Sequence, residues 1–295
     1  MKLEISLGME CNAACIFCQS TKAVNKNAMS TETAKECLAK HFKNGFREIA
    51  FTGGEPTIRK DIFYLIEYAK KLGYKNVEVK TNLFLLSYPS FVKKLEDSGL
   101  DSISFSVFGL GNKIYSKITG VNKSYSYLIK ALKNLKHSNL SLTANILVSK
   151  YSYKDISKIV SLLLNYKIRS FWFWYISTNE LKGDNWDLLP SFSLFRKNIF
   201  SSIKILICNG IKDIKILHMP PCILGDYAKY YFNERQEDIT LVDLKSSFNI
   251  KDESFADLIK TNQCKFCNKN KLCAGVRKDY YEKFGDKEFK PLIEK

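Results

Sequence analysis

Three cysteines, Cys11, Cys15 and Cys18, follow directly on the first strand-like segment of the chain, in the stretch MECNAACIFCQS. The spacing Cys-x3-Cys-x2-Cys lets one short loop present three thiolates to a single object. Thiolates are soft ligands that select zinc, copper(I) or iron–sulfur clusters. Structural zinc takes a closed set of four ligands, and no fourth Cys or His stands close by in sequence. The nearest, His41, falls inside a helical pattern and reads as a surface residue. A four-iron cluster held by three protein ligands leaves one iron open for a substrate or cosubstrate.

A second group stands near the other end, Cys264-x2-Cys267-x5-Cys273, with Cys222 upstream in a Pro-Pro-Cys sequence. Structural zinc, free redox thiols and an auxiliary iron–sulfur cluster are all compatible with four such residues. Between positions 264 and 278 lie Lys265, Lys269, Lys271, Arg277 and Lys278, with no acidic residue. Those cations would stabilise an anionic cluster, attract an acidic substrate or electron donor, or simply form a solvated loop. The rigid Pro-Pro-Cys context favours Cys222 as a fourth ligand. If it is not a ligand, Cys222 is a candidate catalytic hydrogen-atom donor. Cys37 and Cys208 stand alone in helical patterns and read as small buried apolar residues.

The elements that must position these groups alternate in type. Strand patterns run over 2–8, 48–53, 76–82, 101–109, 141–149 and 170–177. Helical patterns run over 30–42, 61–73, 124–137 and 153–166, with Ser30 as an N-cap. Repeated strand–helix units imply parallel strands joined by right-handed crossovers. An open doubly wound sheet and a partly closed barrel both satisfy that rhythm. In either, chemistry belongs in the loops at the C-terminal ends of the strands. The cysteine triplet and the TGGEPT stretch at 52–57 occupy such loops, after strands one and two. After about residue 185 the rhythm breaks, and a long helix pattern at 191–208 leads to a Lys- and Asp-rich stretch and then the C-terminal cysteines. The expected organisation is therefore a core over 1–187 and a smaller cysteine-rich module over 188–295.

Composition narrows the class. The 295 residues are 45% hydrophobic and 13% aromatic, a globular balance. No apolar run approaches the ~18 residues that span a bilayer. No signal-peptide core opens the chain, so no membrane partner and a cytoplasmic location are expected. Nine cysteines without a leader point to metal or redox roles rather than a disulfide framework. The net charge is +16, but only six of the 46 Lys and Arg residues are Arg. Phosphate and base recognition draws on the Arg fork, so a nucleic-acid partner is not expected.

The triplet with Phe17 before its last cysteine, joined to Gly53-Gly54-Glu55-Pro56 at the end of the next strand, resembles the signature of the radical S-adenosylmethionine superfamily. The resemblance covers about residues 3–180 as fold, and its motifs are confined to 11–18 and 53–56. It implies an α/β fold, a partial (β/α)6 barrel of parallel strands. It also implies that Cys11, Cys15 and Cys18 hold a [4Fe–4S] cluster whose remaining iron binds S-adenosylmethionine. Gly53, Gly54 and Glu55 would line the methionine end and Phe17 the adenine. Asn82, Ser106 and Asn145 match rim positions used for ribose or carboxylate contacts. One departure is Leu83, where relatives with a Thr-Asn-Gly turn have glycine, which puts the local turn in question. The C-terminal spacing resembles SPASM/twitch extensions. Its four cysteines suit the shorter, single-cluster twitch form, so Cys222, Cys264, Cys267 and Cys273 would hold a second [4Fe–4S] cluster.

The implied reaction is reductive cleavage of S-adenosylmethionine to a 5′-deoxyadenosyl radical that abstracts hydrogen from a substrate, fed by a reductase, flavodoxin or ferredoxin. A peptide or protein is the first expected substrate. A small molecule or nucleotide, as in cofactor biosynthesis, and tRNA are alternatives. An iron–sulfur carrier or regulatory protein is the non-enzymatic one. No leader-binding module precedes strand one, so peptide recognition would fall to this core or to another protein. Alternate aromatics of FWFWY (171–175) facing inward, and the loop TNELKGDNW (178–186), are candidate substrate contacts.

Overall fold

The computed structural model describes residues 1–18, 27–176, 186–252 and 258–293. In chain order the elements begin β1 Lys2–Ser6, α1 Thr31–Lys43, β2 Glu48–Thr52, α2 Ile62–Leu72, β3 Asn76–Thr81, α3 Pro89–Asp97 and β4 Ser102–Val107. They continue α4 Asn112–Thr119, α5 Ser124–Leu135, β5 Ser141–Val148, α6 Ile156–Leu164, β6 Ser170–Tyr175, α7 Phe192–Cys208 and β7 Asp213–Leu217. The rest are α8 Pro221–Leu224, β8 Ile239–Val242, β9 Ser247–Asn249, β10 Leu258–Ile259, β11 Val276–Arg277 and α9 Lys278–Phe284. The strands are mostly parallel and flanked by helices, the α/β partial-barrel class that the resemblance implies. Among the described residues, no helix is long and apolar enough to cross a membrane.

The chain divides into two compact units. The first holds residues 1–106, 111–143 and 237–253, and the second holds 107–110, 144–236 and 254–295.

In the first unit the strand order is β4-β3-β2-β1-β8-β9. Pairing is parallel from β4 through to β8, with Ile5 opposite Phe51 and Phe51 opposite Val79, and antiparallel only between β8 and β9. The middles of β1, β2, β3 and β4 are buried on both faces, which is why they are rich in Val, Ile, Leu and Phe and do not alternate. The helices between them are amphipathic and well ended. Ser30 Oγ accepts from Thr33 N at 3.0 Å to start α1, and Gly73, left-handed at φ 102°, ends α2. Ala34, Leu38 and His41 form the buried stripe of α1. His41 is therefore not a surface residue: its Nδ1 lies 2.8 Å from Cys37 O and its ring meets Phe46 edge-on. Cys37 beside it is half-buried, with burial pushing its thiol up to about 11.

In the second unit the order is β7-β6-β5, and β6 pairs in parallel with β7. The strand–helix rhythm thus continues past residue 187, since α7 is the crossover into β7. β6 alternates cleanly: Phe171, Phe173 and Tyr175 are buried, and Trp172 and Trp174 are half-buried on the other face. Tyr175 stacks on Phe195 of α7, and Phe192 stacks on Tyr280 of α9 at 4.0 Å. Tyr280 donates to Glu288 and accepts from Phe192 N, so the last helix shares the aromatic core of β6 and α7. Cys208 ends α7 off its buried stripe and is exposed, contrary to its reading as a core residue.

Candidate active site

The loop after β1 is fastened mainly through backbone. Gly54 N donates to Gly8 O at 2.8 Å, and Glu55 N to Glu10 O at 2.8 Å. Ala14 N and Ile16 N donate to Thr119 O and Ile118 O at the end of α4, at 2.7 and 2.9 Å. These contacts are too close for side chains. A Cβ on Gly53 would stand 2.3 Å from Gly8 O, and one on Gly54 2.0 Å from Glu10 O. Gly53 also has φ 122°, a backbone that favours glycine. The glycines of the GGE stretch are thus required by the cysteine loop packed on them.

Glu55 is nearly fully buried and occupied within the protein. Its carboxylate accepts from Thr57 N, Thr57 Oγ1 (2.6 Å), Thr81 Oγ1 (2.8 Å) and Asn82 N (2.7 Å). Burial raises its pKa, and those hydrogen bonds only partly offset the effect. Glu55 ties the end of β2 to the end of β3 and so sets Asn82. From there Asn82 Nδ2 donates to Asn12 Oδ1 at 2.7 Å and approaches Cys11 Sγ at 3.9 Å. The turn beyond keeps a glycine-like shape without glycine: Leu83 has φ 69°, is fully buried, and donates its N–H to Thr81 Oγ1 at 3.0 Å.

Cys11, Cys15, Phe17 and Cys18 are half-buried together in this loop, and Cys18 N donates to Cys15 O. Burial, then the neighbouring Cys18 and Cys11, push the Cys15 thiol up to about 12. Cys11 is raised by burial, against a backbone hydrogen bond from Ala13, and further by Glu55 and Cys18. Cys11 and Cys15, whose ionisation is disfavoured here, suit a cationic metal core, which would supply the positive charge that lets them ligate as thiolates.

Sequence reasoning missed the clasp on this loop. Arg59 forks onto Asp61 at 2.9 and 2.7 Å, and its other nitrogen donates to Leu7 O and Met29 O, on either side of the loop. Thr31 also donates to Asp61 at 2.7 Å. An Arg two residues from an Asp, just after GGEP, was the available signal. Ser106 sits half-buried at the end of β4.

In the second unit, Asn145 on β5 accepts from Trp174 Nε1 at 3.2 Å. His218 follows β7 in a left-handed backbone, φ 64°, edge-on to Trp174 and 3.4 Å from Glu234. Sequence reasoning passed over this pair. Of the loop expected at 178–186, residues 178–185 lie outside the described residues.

The four remaining cysteines come together in that unit. Cys222, Cys264, Cys267 and Cys273 line one cavity, with Lys260, Lys269 and Asn270. Cys222 sits in α8 behind Pro221, and Cys264 and Cys267 bracket a tight turn in which Cys267 N donates to Cys264 O. Burial, then the charges of Cys273, Cys267 and Cys264, push the Cys222 thiol up to about 12. Gly275 N donates to Cys273 Sγ at 3.3 Å, and Tyr231 Oη accepts from Ala274 N beside it. Four cysteines lining one cavity match in number the ligand set of either tetrahedral zinc or a cubane. Among the described residues, no three His, Cys, Asp or Glu side chains are drawn together as they would be around one metal ion.

Comparison with known proteins gives a consistent picture. The model of the Radical SAM superfamily matches residues 5–163, more than half of the chain. A "Probable GTP 3′,8-cyclase" of Saccharolobus islandicus is 32% identical over 165 residues, 55% of this chain and 53% of that protein. The chain thus spans about half the length of the curated relatives it matches. Among solved structures, SuiB of Streptococcus suis bound to its precursor peptide SuiA superposes with a TM-score of 0.68 at 18% identity, over 99% of this chain and 74% of SuiB. The enzyme anSMEcpe with bound AdoMet and Cp18Cys peptide gives 0.63 at 18% identity, over 98% of this chain and 92% of that one.

Proposed function

The chain belongs to the radical SAM superfamily, and from that footing we propose that it is an enzyme that modifies a peptide or protein by hydrogen abstraction. Cys11, Cys15 and Cys18 would hold a [4Fe–4S] cluster with one iron left for S-adenosylmethionine. When bound, the cluster and S-adenosylmethionine supply reductive cleavage of the sulfonium to methionine and a 5′-deoxyadenosyl radical. The protein's part is to orient and to shield. Gly53 and Gly54 keep the triplet loop close to the end of β2. Glu55 fixes Asn82 beside Cys11. Phe17 would contact the adenine, and Asn82, Ser106 and Asn145 the ribose or carboxylate. Cys222, Cys264, Cys267 and Cys273 would hold a second cluster, and their convergence on one cavity supports Cys222 as a ligand.

The observation that carries the peptide reading is the extent of the likeness. Two peptide-bound enzymes follow this chain over 98–99% of its length, through the four-cysteine region, at the level of fold. A second reading, cyclisation or other radical chemistry on a nucleotide, has the 32% identity to a GTP 3′,8-cyclase behind it.

Anaerobically reconstituted protein, given S-adenosylmethionine and dithionite, is offered short cysteine-, serine- and lysine-containing peptides in one arm and GTP in the other. The expected result is 5′-deoxyadenosine formed in step with a mass change on a peptide. GTP consumption in step with deoxyadenosine overturns the peptide reading in favour of the second. Absence of deoxyadenosine in both arms and without substrate favours an iron–sulfur carrier.

A further inference from the structure

Cys222 lines two cavities. One is the cavity it shares with Cys264, Cys267 and Cys273. The other is an open groove of about 520 Å³ between α7 and the segment that follows α8, walled by Arg196, Lys197, Phe200, Lys204, Asp226 and Tyr227. We propose that this groove is the docking surface for an acidic one-electron carrier protein, and that Cys222 is the ligand through which electrons pass to the four-cysteine cluster. The inference rests on the reading that those four cysteines hold an iron–sulfur cluster.

The lining has the chemistry for such a partner. Arg196, Phe200 and Lys204 recur at the helical spacing of four along α7, with Lys197 beside them, so one helix face carries all three cations. Arg196, Lys197 and Lys204 are exposed, and none takes part in an ion pair among the described residues. One carboxylate, Asp226, stands against them. Lys229, also exposed, adds to the positive side of the same segment. At the base, Phe200 and Tyr227 pack ring on ring at 4.7 Å, next to Ile223 and Leu224, which are buried in the unit behind.

An apolar floor, a rim of exposed cations and a wall made by a cluster ligand are what a brief electron-transfer encounter needs. Charge steers the approach, little area is buried, and the partner leaves again. The groove is too open for a small molecule, which is held in a site that covers most of its surface. Nucleic acid is the less favoured occupant: the two aromatic rings are packed on each other rather than offered to bases, and only one of the cations is Arg. In the step itself the carrier gives up one electron and is oxidised by one equivalent. A cluster held by the four cysteines would take that electron and be reduced by one equivalent. No proton or group moves.

The test uses the full chain with its clusters reconstituted, S-adenosylmethionine present, and two reductants: dithionite and photoreduced flavodoxin, with a plant-type ferredoxin as a second carrier. Arg196→Glu/Lys197→Glu/Lys204→Glu is compared with a control of equal charge change in the first unit, Lys113→Glu/Lys130→Glu/Lys133→Glu. At low salt, the rate of carrier-driven relative to dithionite-driven reduction should fall about tenfold or more in the groove variant and stay near wild type in the control. In the wild type that ratio should drop as salt rises.

A ratio unchanged in the groove variant, or lowered equally in the control, overturns the proposal. So does a wild type that takes electrons from dithionite but from neither carrier. Salt-sensitive tRNA binding that the groove variant loses while its ratio is intact assigns the groove to nucleic acid instead. Metal analysis separates the two levels of failure. About four irons and one zinc per chain would remove the cluster reading and the proposal with it. About eight irons with an unaltered ratio would overturn the docking surface alone.

Discussion

The two cysteine groups differ in what holds them. The triplet lies in the first unit on a loop clamped by backbone hydrogen bonds, two glycines and the Arg59 clasp, at the C-terminal ends of regular parallel strands. The four-cysteine group lies in the second unit in short turns, with α8 only four residues long and β10 and β11 two each. Three ligands on a rigid rim suit a metal centre that must present an open position. Four ligands from short turns would close around a metal, and the metal would then organise the local fold. On the proposed assignment, the same residue type would serve chemistry in one unit and a carrier or structural centre in the other.

Removing ligands breaks this comparison most directly. Cys11→Ala, Cys15→Ala and Cys18→Ala should each take 5′-deoxyadenosine formation to background. The triple variant should lose about four irons per chain and keep those of the other group. Cys222→Ser should instead leave deoxyadenosine formation without substrate measurable, while changing the electron paramagnetic resonance of the second cluster. If Cys222→Ser abolishes S-adenosylmethionine cleavage as fully as Cys15→Ala, the division of roles is wrong.

The glycines test the rigid side. Gly54→Ala would put a Cβ 2.0 Å from Glu10 O, against backbone that cannot swing away. The expected cost is about 3 kcal/mol or more in chemical unfolding, with weakened iron retention at the triplet. Gly225→Ala, in the segment after α8, meets nothing within 4 Å, although its φ of 54° adds some strain. It should cost about 1 kcal/mol and leave the triplet's iron alone. Equal effects would mean that close approach at Gly54 is not what the motif needs.

Much of this was legible beforehand, and the misses have physical causes. The six strands of the repeating pattern fall within two residues of their observed ends, because β1 to β4, buried on both faces, read as continuous apolar runs and β5 and β6 alternate. β7 was passed over although its buried Ile214 and Ile216 alternate with Asp213 and Lys215, and Lys215 lies over the rings of Trp172 and Phe232. β8 and β9 are only half-buried, and their place beside β1 depends on contacts more than 200 residues apart in sequence. His41 was misjudged by type alone, although its spacing from Ala34 and Leu38 marked it for the buried stripe. Both cysteine groups were legible from spacing. Glu55's internal role and the Arg59 clasp were not, since each depends on which backbone groups the fold brings near.

Glu55→Gln tests whether the clamp works from inside. The amide keeps the shape but offers one acceptor oxygen where four donors converge, so a buried donor loses its partner at a cost of about 1–3 kcal/mol. Asn82, Asn12 and Cys11 should loosen together, seen as faster loss of iron from the triplet under chelator and little change at the four-cysteine group. Slower iron loss from the triplet than in wild type would count against the clamp.

The smallest effect separates the clasp from the rest by pH. Burial alone would raise Asp61, but hydrogen bonds from Arg59 and Thr31 and the Arg59 charge outweigh it and hold the carboxyl below its usual range. A carboxyl lowered in the folded state adds stability that is fully present above its unfolded value, about 4, and is lost as pH falls through the folded value. The pair is partly exposed, so solvent screening limits the contribution to about 1 kcal/mol or less. Asp61→Asn should therefore lower urea stability slightly at pH 7, and its difference from wild type should shrink as pH falls below about 4. Because Arg59 also donates to Leu7 O and Met29 O, the variant should release the triplet's iron faster at pH 7 while the four-cysteine group keeps its own. A difference between Asp61→Asn and wild type that stays constant from pH 7 to pH 3 would show that the charge on Asp61 is not what secures the loop.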